Sequence, residues 1–319
     1  MNAPSAHIDA AVKRIEATDS APLRQAEALV EMAMDLQRQP KEPQALADAI
    51  FLYDQAARLA HDTPLAHARA ISGKGSALRR MPGAGLTHLL DAREAFETSL
   101  PILHADGDQE EAAEVEMNYG LVLQALAGAQ RAPLPLAIQA YHRALRFFDA
   151  SGFPREYAIL HNNLATAYLS TAISAEDGVR EALAVQSFKE ALRCVTLEED
   201  PVEYAMLQSN LGNALQATRS SHPFEHLSEA VKAYDEALRV RTARTMPVEY
   251  ANTLSNKANA LMNLPDDLEH PEQGNPNHLK MAAEMLEEAG ALFEAHHLAD
   301  RAATVTEIAG RLRQELVGS

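Results

Sequence analysis

Seven residues are written three times in this chain at nearly constant spacing. They read NNLATAY at 162–168, SNLGNAL at 209–215 and SNKANAL at 255–261. With the asparagines in register, Asn163, Asn210 and Asn256 lie 47 and 46 apart, and steps of 45 back from Asn163 reach Asn118 and then Gly73. A period near 46 carried through five segments predicts a stack of similar units, each burying its apolar face against the next. Two further features hold the register. Pro64, Pro154, Pro201 and Pro247 each precede the aligned position by nine residues, in TPLAHA, FPREYA, DPVEYA and MPVEYA. Proline in a first helical turn loses no hydrogen bond and has a suitable φ, so each motif sits about two turns inside a helix, with Thr63, Asp108 and Asp200 as N-cap candidates.

Tyr53, Phe96, Tyr141, Phe188 and Tyr234 mark a second helix per unit. In LSEAVKAYDEALRV the apolar residues Leu227, Ala230, Val231, Tyr234, Ala237 and Leu238 follow the spacing of an amphipathic helix. No stretch alternates with period two for long, so no sheet is expected. Six helix pairs follow, at about 22–61, 63–104, 107–149, 153–196, 200–242 and 247–296, with a closing helix at 298–316 whose Val305, Ile308, Ala309 and Leu312 face inward. Residues 1–20 hold a short helix (Ile8, Val12, Ile15) or are loose, and 21–319 read as one solenoid domain. The small residues Gly75, Gly120, Ala165, Gly212 and Ala258 are read as points of close helix approach. A bulky side chain at Gly212 is then expected to separate the fourth and fifth pairs. An insertion at 263–277, NLPDDLEHPEQGNPN, is a long turn and a candidate working surface.

The run from NLGNAL to EAVKAYDEALRV resembles the tetratricopeptide repeat (TPR) over about 24–316, most sharply over 155–264. The period is longer than that repeat's usual length, as in kinesin light chains and bacterial regulatory TPR proteins. The resemblance implies an all-α, right-handed α-α superhelix of about six helix pairs with a C-terminal capping helix. It also implies a concave groove lined by the first helices, where asparagines hold the backbone of an extended peptide. The matching positions are Asn162, Asn163 and Thr166, then Ser209, Asn210 and Asn213, then Ser255, Asn256 and Asn259. The carboxylate clamp of chaperone-binding members needs a lysine where this chain has Ser209 or Ser255, so that ligand is disfavoured. Arg79 and Arg80 fall near the groove edge and are candidates to receive an acidic side chain.

Charge narrows the partner. Twenty-eight Lys and Arg face 45 Asp and Glu, a net charge of −17, which disfavours nucleic acid and anionic membranes and favours a basic protein or peptide. The first twenty residues hold neither a signal sequence nor an anchor, and the expected location is the cytoplasm. SGKGSAL at 72–78 lacks the glycine and hydroxyl of a phosphate loop, since Ala68 and Gly75 stand in their places. HADGDQEE at 104–111 has spaced carboxylates but lacks the third ligand and the turn glycine of a calcium loop, and reads as an acidic helix start. The 13 histidines show no zinc spacing, and Cys194 is alone. No metal, cofactor or catalytic constellation emerges, so the chain reads as a protein- or peptide-binding scaffold, an adaptor, assembly factor or regulator, rather than an enzyme. A small-molecule or metal sensor using the groove or the 263–277 loop, and a self-associating scaffold, are the alternatives.

Overall fold

The structure, a computed structural model, describes residues 4–38, 40, 42–83, 85–170, 178–219 and 222–318. Among them there are helices and turns and no strand. The chain divides into two compact units, Met1–Gly152 and Phe153–Ser319. The first contains α1 (Ala6–Glu16), α2 (Pro22–Arg38), α3 (Pro43–Leu59), α4 (Pro64–Arg80), α5 (Leu86–Asp106), α6 (Gln109–Gly128) and α7 (Leu134–Ala144). The second contains α8 (Pro154–Leu169), α9 (Gly178–Ala191), α10 (Pro201–Ala217), α11 (Pro223–Leu238), α12 (Pro247–Met262), α13 (Pro276–Ala295) and α14 (Ala299–Gly318). Within each unit every helix packs on the next in the chain, and the motif-bearing helices also touch one another, α2 with α4, α4 with α6 and α10 with α12. The six pairs and the closing helix stand where the 46-residue register puts them. No helix among the described residues is long and apolar enough to cross a membrane.

Proline begins α4, α8, α10 and α12, as its fixed φ favours. Thr63, Asp108 and Asp200 do occupy N-cap positions, but none of their side chains bonds the helix start. The tyrosine of each EYA run does other work. Tyr157, Tyr204 and Tyr250 donate to Glu190, Glu236 and Glu288 on the second helix of the same pair, at 2.8, 2.8 and 3.1 Å.

The motif's small residue receives the aromatic ring of its own pair. A Cβ on Gly212 would lie 2.6 Å from Cε1 of Tyr234, one on Gly75 would lie 2.9 Å from Cε1 of Phe96, and one on Gly120 would overlap the ring of Tyr141. The contact at Gly212 is therefore inside the fifth pair, between α10 and α11, and not between the fourth and fifth pairs. Gly73 makes the inter-pair contact, taking the ring of Tyr53 from α3. These rings are fully buried. Burial pushes the pKa of Tyr53 up to about 12 and raises those of Tyr141 and Tyr234.

A buried phenol needs a hydrogen-bond partner, and a glutamine near the end of the pair's first helix supplies it, six residues after the register position in the third and fifth pairs. Tyr53 donates to Gln37 at 2.8 Å and Tyr141 to Gln124 at 2.7 Å, while Gln216 donates to the oxygen of Tyr234 at 2.5 Å. Where the ring carries no hydroxyl the amide is missing too. The second pair has Phe96 and Arg79, the fourth Phe188 and Leu169, and the sixth Leu286 and Met262.

The 263–277 insertion ties two helices together. Asp266 accepts from the backbone N–H groups of Asn277 and His278, both at 2.8 Å, at the start of α13. Asn275 donates to the carbonyl of Met262 at 2.8 Å at the end of α12, and the His278 ring meets the Leu264 carbonyl at 2.9 Å. Gly274 makes the return at φ 78°, in the left-handed region that glycine tolerates. At the C-terminus, α14 buries Val305, Ala309 and Leu312 against the core, with Ile308 half-buried. Arg313 of α14 pairs with Glu287 of α13 at 2.8 and 2.9 Å.

Candidate functional site

In the second unit the sequence-predicted asparagines gather along α8, α10 and α12. Those of α10 and α12 bond to one another across the helix–helix contact. Asn256 Nδ2 donates to Asn213 Oδ1 at 3.0 Å, and Asn259 Nδ2 donates to Gln216 Oε1 at 2.9 Å. Asn213 Oδ1 also accepts from the Tyr234 hydroxyl at 2.7 Å, and Gln216 Nε2 reaches the Asn256 carbonyl at 3.0 Å. An amide has two donors and an acceptor with two lone pairs. These bonds leave Asn213 Nδ2, Asn256 Oδ1 and Asn259 Oδ1 without a protein partner among the described residues. Asn213 and Asn259 are exposed and Asn256 is half-exposed. The row is thus both a bridge between helices and a set of spare polar atoms.

The remaining predicted positions separate. Ser209 is buried and Ser255 bonds back to the Ala251 carbonyl at 2.8 Å, so neither projects as a ligand contact in the way a clamp lysine would. Thr166 likewise donates to the Asn163 carbonyl at 2.9 Å. Asn210 is half-exposed. On α8, Asn162 Oδ1 and Asn163 Nδ2 are buried with no partner among the described residues. Ser255 and Asn256 also line a pocket of about 300 Å³ against α14, where Arg301 donates to Asn252 at 3.1 Å and lies over the Phe293 ring.

In the first unit α2, α4 and the start of α6 enclose a cleft of about 750 Å³. Its walls carry Arg38, Arg69, Arg79 and Arg80, with Asp108, Glu111 and Glu114 on the α6 side. Arg69 grips Glu111 in a bidentate bond at 2.9 and 3.1 Å, and Arg38 pairs with Asp35 at 3.1 Å. Arg80 is exposed and donates to the Gln37 carbonyl at 2.6 Å. Arg79 differs. Its Nε is buried without a partner. Burial above all, then the charge of Arg80, holds its pKa below the ordinary arginine value. The adjacent arginines therefore part ways: Arg80 caps a neighbouring helix end, and Arg79 faces the cleft. Neither this cleft nor the amide bridge was visible in the motif itself, although the Tyr–Gln spacing could have revealed that Gln37, Gln124 and Gln216 are committed to tyrosines.

Cys194 lies just beyond α9, half-buried, and burial raises its thiol pKa, which leaves it protonated and a poor nucleophile near neutrality. Among the described residues no cluster of three His, Cys, Asp or Glu side chains is arranged to hold a metal.

No protein-family model and no curated protein sequence matches the chain. Solved structures do. That of Pseudomonas aeruginosa pilF superposes with a TM-score of 0.54 at 14% identity, covering 93% of this chain and 100% of that one. YrrB, a TPR protein with an unusual peptide-binding site, is similar at a TM-score of 0.40 and 18% identity, over 74% of this chain and 98% of that one. The fold is an all-α solenoid of the TPR type.

Proposed function

We propose that this chain is a protein-interaction scaffold that binds an extended polypeptide along its motif-bearing helices, with no chemical step of its own. The observation that carries the reading is the row of spare amide atoms, Asn213 Nδ2, Asn256 Oδ1 and Asn259 Oδ1, on two exposed asparagines and one half-exposed, left over after the helices are bridged. A peptide backbone presents alternating donors and acceptors and is complemented by such a row. At longer range, the charge of −17 favours a partner of positive net charge and an affinity that falls as salt rises.

The test starts from a phage-displayed library of random peptides selected on the wild-type chain. Asn213→Ala with Asn259→Ala is expected to weaken a selected peptide about a hundredfold, since each lost amide leaves a ligand group unpaired at roughly 1–3 kcal/mol. The bridge adds a second expectation: Asn213→Ala also strips an acceptor from Tyr234 and Asn256, so it lowers folding stability by about 1 kcal/mol, whereas Asn259→Ala alone lowers it less. Titration calorimetry and thermal melts on the same samples separate the two effects. Unchanged affinity in both variants would remove the amides from recognition.

A further inference from the structure

We propose that the α2/α4/α6 cleft of the first unit binds an acidic polypeptide segment, in which Arg79 receives the side-chain carboxylate of an aspartate or glutamate. The inference rests on the polypeptide-binding reading and specifies what a segment bound at this cleft carries.

Three observations converge on Arg79. First, it has no hydrogen-bond or ion-pair partner among the described residues, while the other arginines of the cleft are occupied by Asp35, Glu111 and the Gln37 carbonyl. The guanidinium is held without a counter-charge, its Nε buried and unsatisfied, and a carboxylate entering the cleft would neutralise it through charge-assisted bonds at the terminal nitrogens. Second, the fold does not require an arginine here. The same register position is Gln124 in the third pair and Gln216 in the fifth, where the amide serves a tyrosine hydroxyl. In this pair the ring is Phe96, which offers no hydroxyl to serve. Third, the acidic wall does not reach it. Arg69, which holds Glu111, stands ten residues earlier on α4, roughly 15 Å along the helix axis. Glu114 falls at the level of Arg69, because Gly75 and Gly120 share a register position. That separation exceeds the screening length of about 8 Å at physiological salt. The Arg79 end of the cleft thus presents the adjacent charges of Arg79 and Arg80 within an acidic protein, with only Arg79 lacking a hydrogen-bond partner among the described residues, and short-range pairing there is independent of the long-range negative field.

The test uses the same display library on the full chain and on Arg79→Gln. Every displayed peptide is joined to coat protein through its C-terminus, so a free terminal carboxylate is absent and only side chains supply the anion. Arg79→Gln introduces the residue the repeat itself uses at this position, and its folding is checked by circular dichroism and melting. Arg79→Lys retains the charge without the fork. The wild-type chain is expected to enrich peptides with an aspartate or glutamate at one fixed place, and Arg79→Gln is expected to lose that enrichment. Changing that acid to its amide in a synthetic, C-terminally amidated copy should weaken binding to the wild-type chain about tenfold and to Arg79→Lys less, and leave Arg79→Gln unmoved. Peptides selected with no acidic preference, or an acid-to-amide change that costs wild type and Arg79→Gln equally, overturn the Arg79 subsite and leave polypeptide binding standing. Failure of the wild-type chain to enrich any peptide overturns both.

Discussion

Tyr234→Ala is expected to lower the unfolding free energy by about 3–5 kcal/mol, the range for deleting a fully buried aromatic ring. The ring is completely enclosed between α10 and α11, its edge lies against Gly212, and its hydroxyl is engaged by Asn213 and Gln216. Alanine removes all three contacts and leaves a cavity that a backbone held by proline-started helices cannot collapse to fill. Tyr234→Phe isolates the polar part. It keeps the ring and removes the hydroxyl, at about 0.5–1.5 kcal/mol, because Asn213 is exposed and Gln216 half-exposed and both regain water. Urea unfolding followed by far-ultraviolet circular dichroism gives both numbers. Equal losses for Ala and Phe would mean that the hydroxyl network, not ring packing, holds the pair together.

Gly212→Leu should cost on the order of 1–3 kcal/mol by overpacking, and more if Tyr234 cannot leave its rotamer. Gly212→Ala acts in the same direction, since the added Cβ alone would fall 2.6 Å from the Tyr234 ring. The chain suggests a rescue. The sixth pair places Ala258 and Leu286 at the corresponding positions, both buried. Combining Gly212→Ala with Tyr234→Leu is therefore expected to cost less than the sum of the single changes, with a coupling of about 1 kcal/mol. Strict additivity would show that the two residues do not share a contact.

These two positions also show what the sequence reveals and where it stops. The helix pairs were readable because proline, a small residue and an aromatic recur at fixed offsets, and each has a local physical cause. The small residue's partner was misplaced because period alone does not say which neighbouring helix a glycine faces. Side-chain geometry decides that, and it sends Tyr234 back onto its own pair. The caps at Thr63, Asp108 and Asp200 were placed correctly but lack side-chain bonds, since proline or the backbone already fixes the helix start. The asparagines were recognised as a row, yet their mutual bonds depend on contact between α10 and α12, residues some 43 apart in sequence. Arg79 and Arg80 looked equivalent as adjacent letters. One residue step, about 100° around the helix, gives one of them a carbonyl and leaves the other with a buried, unpartnered Nε.

The measurement that tests polypeptide binding most directly is the structure of the chain in complex with a peptide selected on it. The expected result is an extended peptide whose backbone carbonyl meets Asn213 Nδ2 and whose backbone N–H groups meet Asn256 Oδ1 and Asn259 Oδ1 at about 2.9 Å. A peptide seated away from α10 and α12, with those three atoms still facing water, would contradict the account.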